Sequence, residues 1–514
     1  MSAAAHTPDR DVLEAVNGVI VPGFFGTELP QWLADALDDG VAGVVYFGQN
    51  ISAQTEALSA SIRAHRPHAL IATDEEGGTV TRLESVHGST VPGPAQLGVV
   101  NDPELSAAVG AALAARARAV GVNLVFGPVA DVNTNPANPV IGVRSFGADA
   151  PTVAAHVAAT VRGIQASGAV AACAKHFPGH GDTHSDSHLA LPELSIAASE
   201  IEDVHFAPFR AAIAAGVRTI MTAHIRVPAW GEAPATLNPV ILGKLRALGF
   251  EGVIVTDALD MAAIRESVGA GPGAVAAIQA GADLLCIGNP RTNLGGSGEA
   301  DADRHDYLEV RDALLAAVAS GELDLDQLRR AASRVRLLAA ELDAARGLAQ
   351  SETAEPDWAP AVAAAIGIHG TVARTQERLF LLDLRARATL AVASESDAFR
   401  RAFAAHRDVV TPARMPQQAA PVVEHLDRAL AEIPGGADLV VLVDRIGVPG
   451  AQRDALARLA ASRPDAVVVN VGVVPEPGCP STLDRIDARA SSALAAGLVA
   501  ELVCAPLARA GVPA

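Results

Sequence analysis

The sequence predicts an α/β architecture, a (β/α)8 TIM-like barrel followed by a smaller α/β three-layer sandwich domain, and three observations carry that prediction. Eight short runs rich in Val, Ile and Leu recur between Val16 and Gly288, separated by Ala-rich stretches of helical composition. Runs that are apolar throughout mark parallel strands buried on both faces and joined by crossover helices. The rhythm then breaks at a stretch containing Gly347, Ser351, Thr353 and Pro356, and a second, shorter set of runs follows.

The eight runs, in order, are VNGVIVPG from Val16, VAGVVYFG from Val41, ALIATDEEGG from Ala69 and VNLVFGPVADV from Val122. They continue with AVAACAKHF from Ala169, VRTIMTAHI from Val217, GVIVTDAL from Gly252 and DLLCIG from Asp283. Eight strand–helix units of this size fit a closed barrel. A charged helical stretch, DLDQLRRAASRVRLLAAELDAARG, runs from Asp324 to Gly347. This gives a catalytic barrel domain over 1–345, a linker over 346–362 and a C-terminal domain over 363–514. In the last, LFLLDLR (379–385), ATLAVAS (388–394), ADLVVLVDR (437–445) and DAVVVNVGVV (465–474) alternate with helical segments such as QRDALARLAAS. That alternation reads as an open three-layer sandwich.

Composition narrows the function classes. At 514 residues the chain exceeds one ordinary domain, and with half its residues hydrophobic it can bury sizeable cores. Its 58 acidic against 39 basic residues leave a net charge of −19, which argues against a nucleic-acid partner, since phosphate contacts need clustered Lys and Arg. No apolar window is long enough for a membrane span. The start, MSAAAHTPDRDVLEAV, lacks a basic patch followed by an apolar run, so no secretory leader is expected. Four scattered cysteines (Cys173, Cys286, Cys479 and Cys504) do not form a disulfide framework, and a reducing, cytoplasmic location is expected. Cys173 and Cys286 sit inside apolar runs and read as small core residues.

The polar residues of the first eight runs share one position. Asp74, Asp131, Lys175 with His176, His224 and Asp257 all stand at the carboxyl end of a run. Chain ends that merely stop a strand would not all carry charge or imidazole; in a barrel those ends converge on one mouth. The densest stretch is KHFPGHGDTHSDSH, from Lys175 to His188, with His176, His180, His184 and His188 four apart. On a helix that spacing would invite zinc, but Pro178, Gly179 and Gly181 make the segment a loop, so no metal is expected. Asp186 and His188 stand one residue apart. A carboxylate beside an imidazole orients the ring and stabilises its charged form, a pairing suited to protonating a leaving group and later deprotonating water.

KHFPGHGDT…DSH, together with DEEGG from Asp74 and VTDALDM from Val255, resembles family 3 glycoside hydrolases of the β-N-acetylhexosaminidase branch, over the first 345 residues or so. The resemblance implies Asp257 as the nucleophile, His188 as general acid/base and Asp186 as its partner. It also implies sugar-hydroxyl contacts from Asp74, Arg82, Arg144, Lys175 and His176, and activity in peptidoglycan recycling. Many relatives read DQEGG where this chain has Glu75, which adds negative charge there. The residues themselves are suited to these roles. Asp257 ends an apolar strand, and Lys175 and Arg82 donate where Asp74 accepts, so together they can bracket a polyhydroxylated ring. Three Trp and two Tyr are too few for an aromatic-lined cleft, with Trp230 as the one Trp expected near the mouth, which favours a short pocket for one terminal sugar.

The expectation is therefore a retaining exo-β-N-acetylglucosaminidase that releases terminal N-acetylglucosamine from glycans such as peptidoglycan fragments, with no cofactor. The alternatives are a β-N-acetylglucosaminide phosphorylase or β-glucosidase of the same family, or a catalytically silent sugar-binding protein. Every candidate catalytic group precedes Gly288, so residues 1–345 are expected to form a self-sufficient catalytic unit.

Overall fold

All eight runs between Val16 and Gly288 form strands in a computed structural model, which describes residues 9–184, 191–288, 301–348, 355–385, 397–412, 422–474 and 483–505. The strands are β1 (Ile20–Pro22), β2 (Gly43–Tyr46), β3 (Leu70–Thr73), β4 (Leu124–Val125), β5 (Ala171–Phe177), β6 (Thr219–Thr222), β7 (Val253–Val255) and β8 (Leu285–Gly288). Each pairs in parallel with the next from β2 to β7, and β1 pairs with β8. Parallel bridges from Gly23 to Val45 and from Val255 to Leu284 close the ring. Every strand feeds one buried cluster (Val21, Val45, Leu70, Leu124, Cys173, Met221, Val255 and Cys286), and Val335, Leu338 and Leu342 of helix Leu325–Arg346 join it. The strand interiors are apolar because both faces are covered.

Two irregularities in this ring position polar side chains. The fourth run is a strand for only two residues, because Pro128 has no N–H to give to a ladder. Pairing resumes beyond it, with Val129 bridging Lys175 and the Ala130 N–H reaching the Lys175 carbonyl at 2.5 Å. Between β5 and β6 the register slips: Ala174 pairs with Ile220, but Phe177 pairs with Thr222. The extra residue makes a bulge at Lys175–His176, the local device by which a strand re-aims a side chain.

The chain folds as two compact units. The first comprises Met1–Glu75, Pro103–Val132 and Ala148–Glu355; the second comprises Glu76–Asp102, Asn133–Gly147 and Pro356–Ala514. In the second unit a six-stranded sheet runs in the order β9 (Gly367–His369), β14 (Asp484–Asp487), β13 (Val467–Asn470), β12 (Asp438–Val443), β10 (Arg378–Asp383), β11 (Asp408–Val410). All neighbours are parallel except β9, which runs antiparallel to β14. Side chains alternate between its faces. Leu379, Leu381, Val440 and Val467 pack against Phe399, Phe403 and Val499 of helices Ala398–Ala404 and Ala493–Cys504. Phe380, Leu382, Val441 and Val468 pack the other way, against Leu426, Ala455 and Leu459. Helices on both faces make the three-layer sandwich. The run ATLAVAS (388–394) lies outside the described residues, as do 349–354 of the expected linker. No helix among the described residues is long and apolar enough to cross a membrane.

Candidate active site

Five strands of the ring deliver a charged or imidazole side chain at their carboxyl ends. Asp74 directly follows β3, Asp131 lies beyond β4, Lys175 and His176 stand on β5, His224 is two residues past β6 and Asp257 two past β7. Lys175 brings its ammonium 2.8 Å from Asp74 Oδ1, with both side chains largely buried. Burial drives the nearby Cys173 thiol up to about 12; Thr219 and Lys175 oppose the rise and the carboxylates of Asp74 and Asp257 add to it. Asp74, Lys175 and Asp257 thus all act electrostatically on one buried sulfur.

Asp131 organises the turn that carries the histidines. Its carboxylate is fully buried, and Oδ2 lies 2.8 Å from His176 Nδ1. Oδ1 accepts the backbone N–H of His176 at 3.2 Å and of His180 at 2.7 Å. Burial pushes the Asp131 pKa upward, but the charge and hydrogen bond of His176, and then His180, outweigh it and hold the group below the usual carboxylate range. An ionised carboxylate can only accept, so His176 Nδ1 carries the proton and the ring presents Nε2 on its other side. Burial lowers the His180 imidazole to about 4, with Asp131 pulling the other way, so that ring is neutral at pH 7. Its Nδ1 lies 2.8 Å from the Thr183 hydroxyl. Pro178–His184 is a turn, as the Pro and Gly residues require. Gly179, at φ +122°, lies against His205 of the π-helical turn Ile201–His205; a Cβ there would sit 2.7 Å from His205 Cβ, so only glycine fits.

Asp257 is held at the end of β7 by its own next residue, whose N–H reaches Asp257 Oδ1 at 2.8 Å. The carbonyl of that residue, Ala258, accepts from His224 Nε2 at 2.9 Å, and His224 Nδ1 lies 2.9 Å from the Thr236 hydroxyl. His224 therefore fixes the peptide beside Asp257. The sequence marked Asp131 and His224 as strand-end polar residues; their work as braces depends on partners 45 and 34 positions away. His180 stood out only as one of four spaced histidines.

Asp186 and His188 lie outside the described residues. The chain returns at Pro192–Leu194, where Leu194 N–H donates to the Arg226 carbonyl (2.9 Å) and Arg226 N–H to the Pro192 carbonyl (2.8 Å). The Arg226 guanidinium also engages Glu193 and Glu232. Trp230 packs against Phe206, ring centroids 5.7 Å apart, with the Lys244 ammonium 4.7 Å from its ring centre. Arg82 and Arg144 belong to the second unit, and both are buried. The Arg144 Nε and Nη2 meet the two oxygens of buried Glu76 at 2.9 and 2.8 Å. Glu75 is likewise buried.

Residues 20–338 match the family model described as the glycosyl hydrolase family 3 N terminal domain. The chain is 33% identical over 344 residues to Beta-hexosaminidase A of Pseudoalteromonas piscicida, covering 62% of this chain and 56% of that protein. It is 36% identical over 287 residues to the Beta-hexosaminidase of Stenotrophomonas maltophilia (strain R551-3), covering 53% of this chain and 84% of that one. A solved structure described as a glycoside hydrolase family 3 beta-N-acetylglucosaminidase from Paenibacillus sp. str. FPU-7 superposes with a TM-score of 0.79 at 32% identity, covering 96% of both chains. The family match spans the whole ring of strands and the carboxyl ends that bear Asp74, Asp131, Lys175, His176 and Asp257, and the chain belongs to glycosyl hydrolase family 3.

Proposed function

We propose that this protein is a retaining exo-β-N-acetylglucosaminidase that removes terminal N-acetylglucosamine from glycans such as peptidoglycan fragments, in the cytoplasm. The observation that carries the reading is the gathering of Asp257 with the Lys175–Asp74 pair at the carboxyl ends of the barrel strands, next to His176 locked by Asp131. The names of the relatives described above support the choice of sugar.

Asp257 attacks the anomeric carbon and forms a glycosyl ester while the bond to the leaving oxygen breaks. His188, oriented by Asp186, donates its proton to that oxygen. Now neutral, it takes a proton from the incoming water, whose oxygen displaces Asp257 and restores the β-configuration. Lys175 donates to sugar hydroxyls, Asp74 and the His176 Nε2 accept from them, and Arg82 and Arg144 take the sugar-binding roles that the family resemblance implies. A His–Asp pair replaces the second carboxylate of the usual retaining arrangement.

The test is turnover of an aryl β-N-acetylglucosaminide against the aryl β-glucoside, with and without phosphate, followed by mass spectrometry after a slow fluorinated glycosyl donor. N-acetylglucosamine released at a rate independent of phosphate, and a glycosyl adduct on the Asp257 peptide, are expected. Phosphate-dependent release as the sugar 1-phosphate would make the enzyme a phosphorylase. Preference for the glucoside would make it a β-glucosidase, and no turnover of either would leave a sugar-binding protein.

A further inference from the structure

Two segments that lie between barrel strands in the sequence, 76–102 and 133–147, pack within the second unit. They begin shortly after Asp74 and Asp131 in the chain, and they carry Arg82 and Arg144. They are joined to each other by the bidentate Glu76–Arg144 pair, both side chains at most 4% exposed. They also meet where Gly98 lies against the Phe146 carbonyl; a Cβ at Gly98 would sit 1.7 Å from that oxygen.

Both segments are seated just beyond the carboxyl ends of three adjacent strands of the sandwich. Beyond β12, Arg445 reaches the Pro139 carbonyl at 3.5 Å. Beyond β13, Val473 lies against Gly142. Beyond β14, the Ala488 carbonyl accepts from Gln96 Nε2 at 2.9 Å, and the Ser491 N–H donates to the Thr79 hydroxyl at 3.1 Å. Gln96 is 1% exposed, and its Oε1 closes the turn at Gly93 (2.9 Å), so one amide ties the fold of its segment to the edge of the sheet. In open α/β sheets the crevice outside the carboxyl ends of the strands is where ligands bind. In this sandwich that crevice is filled by the chain's own segments.

We infer that the C-terminal sandwich is a clamp for sugar binding: Gln96 and Thr79 are positioning residues that couple its strand ends to the segments bearing Arg82 and Arg144. The inference rests on the reading that those two arginines hold the sugar. It departs from the expectation that residues 1–345 suffice, because two sugar-binding segments of that range have their packing partners after residue 355.

The test uses the full-length chain. Gln96→Leu keeps the volume and removes the donor to Ala488; Thr79→Val removes the acceptor for Ser491, and Thr79→Ser keeps it. A KM for the aryl β-N-acetylglucosaminide raised roughly fivefold or more in the first two, with kcat nearly unchanged, and a parental KM in Thr79→Ser are expected, the pattern of lost uniform binding. Leu459→Ala, a core cut on the opposite face of the sheet, controls for general destabilisation and should lower Tm without moving KM. Parental KM values in Gln96→Leu and Thr79→Val, or a rise equalled by Leu459→Ala, overturn the inference. If Gln96→Leu does not fold, the Thr79 pair decides. Arg82→Lys separates the two readings. A raised KM there with parental values in Gln96→Leu and Thr79→Val sinks only the clamp, whereas an unmoved KM in Arg82→Lys sinks the sugar-binding reading beneath it.

Discussion

The Asp131 carboxylate grips His176 twice, Oδ2 at 2.8 Å from the imidazole Nδ1 and Oδ1 accepting the backbone N–H of the same residue at 3.2 Å. Ring and main chain are set by one buried group, so His176 has neither rotamer nor tautomer freedom where it faces the barrel mouth. Preorganisation of this kind carries its cost in folding rather than at the moment of reaction.

Asp131→Asn should therefore impair both stability and activity. An amide supplies one acceptor where the carboxylate supplies two, and it leaves a buried donor without a partner, at about 1–3 kcal/mol. Urea denaturation should report that loss, and kcat/KM should fall at least about tenfold, the equivalent of 1.4 kcal/mol. Parental kcat/KM in a destabilised variant would make Asp131 a purely structural residue.

The buried His180 makes stability depend on pH. Above pH 6.5 its imidazole is neutral folded and unfolded, so it has no effect on the balance. Between 6.5 and about 4 the unfolded chain takes up a proton that the buried ring refuses, so stability falls with pH across that window and levels off below it. The depressed carboxyl of Asp131 acts only below its ordinary value of 3.8, outside the window. His180→Gln should lose less stability than the parent between pH 7.5 and 4.5, measured as urea midpoints; equal losses would contradict the assignment.

Glu76→Gln removes the negative charge of a buried ion pair and leaves the Arg144 guanidinium without its counter-charge there. Breaking such a pair costs about 3–5 kcal/mol, whereas an exposed pair would cost less than about 1. Denaturant unfolding of the Gln variant distinguishes the two, and a loss under about 1 kcal/mol would mean that Arg144 is adequately solvated without its partner.

Asp257→Asn should leave the fold and sugar affinity near parental values while kcat falls by at least about a thousandfold, since an amide cannot form the glycosyl ester. Stopped assays with an aryl substrate, alongside binding of N-acetylglucosamine, check both halves. Residual activity above about a hundredth of the parent would remove Asp257 from the nucleophile's role.

His188→Ala should discriminate between leaving groups. Substrates with poor leaving groups need the proton and should slow most, while nitrophenyl substrates should suffer less in the first step. Azide, which needs no general base, should rescue variants limited by ester hydrolysis and not those limited by ester formation. Equal losses across leaving groups, with no azide effect, would redirect the search to Asp182, Asp186 and His184.

What was legible in the sequence follows from burial. Strands covered on both faces must be apolar throughout, so all eight barrel strands stand out as runs, and the charged or imidazole residues that end five of them mark one end of the ring. Asp74, Asp131, Lys175, His176, His224 and Asp257 are legible at those run ends. The strands Gly367–His369, Asp408–Val410 and Asp484–Asp487 are not legible because each is only three or four residues long, and charge breaks the Asp-Arg-Ile-Asp of the last. Tertiary structure alone decided the partners. Glu76 and Arg144 are 68 positions apart, Gln96 and Ala488 are 392 apart, and nothing periodic in the chain records such meetings. Periodicity reports which face of an element is covered, while the identity of what covers it is set by chain topology. That is why a sequence that marks its polar strand ends plainly does not say that segments 76–102 and 133–147 pack with the C-terminal sandwich.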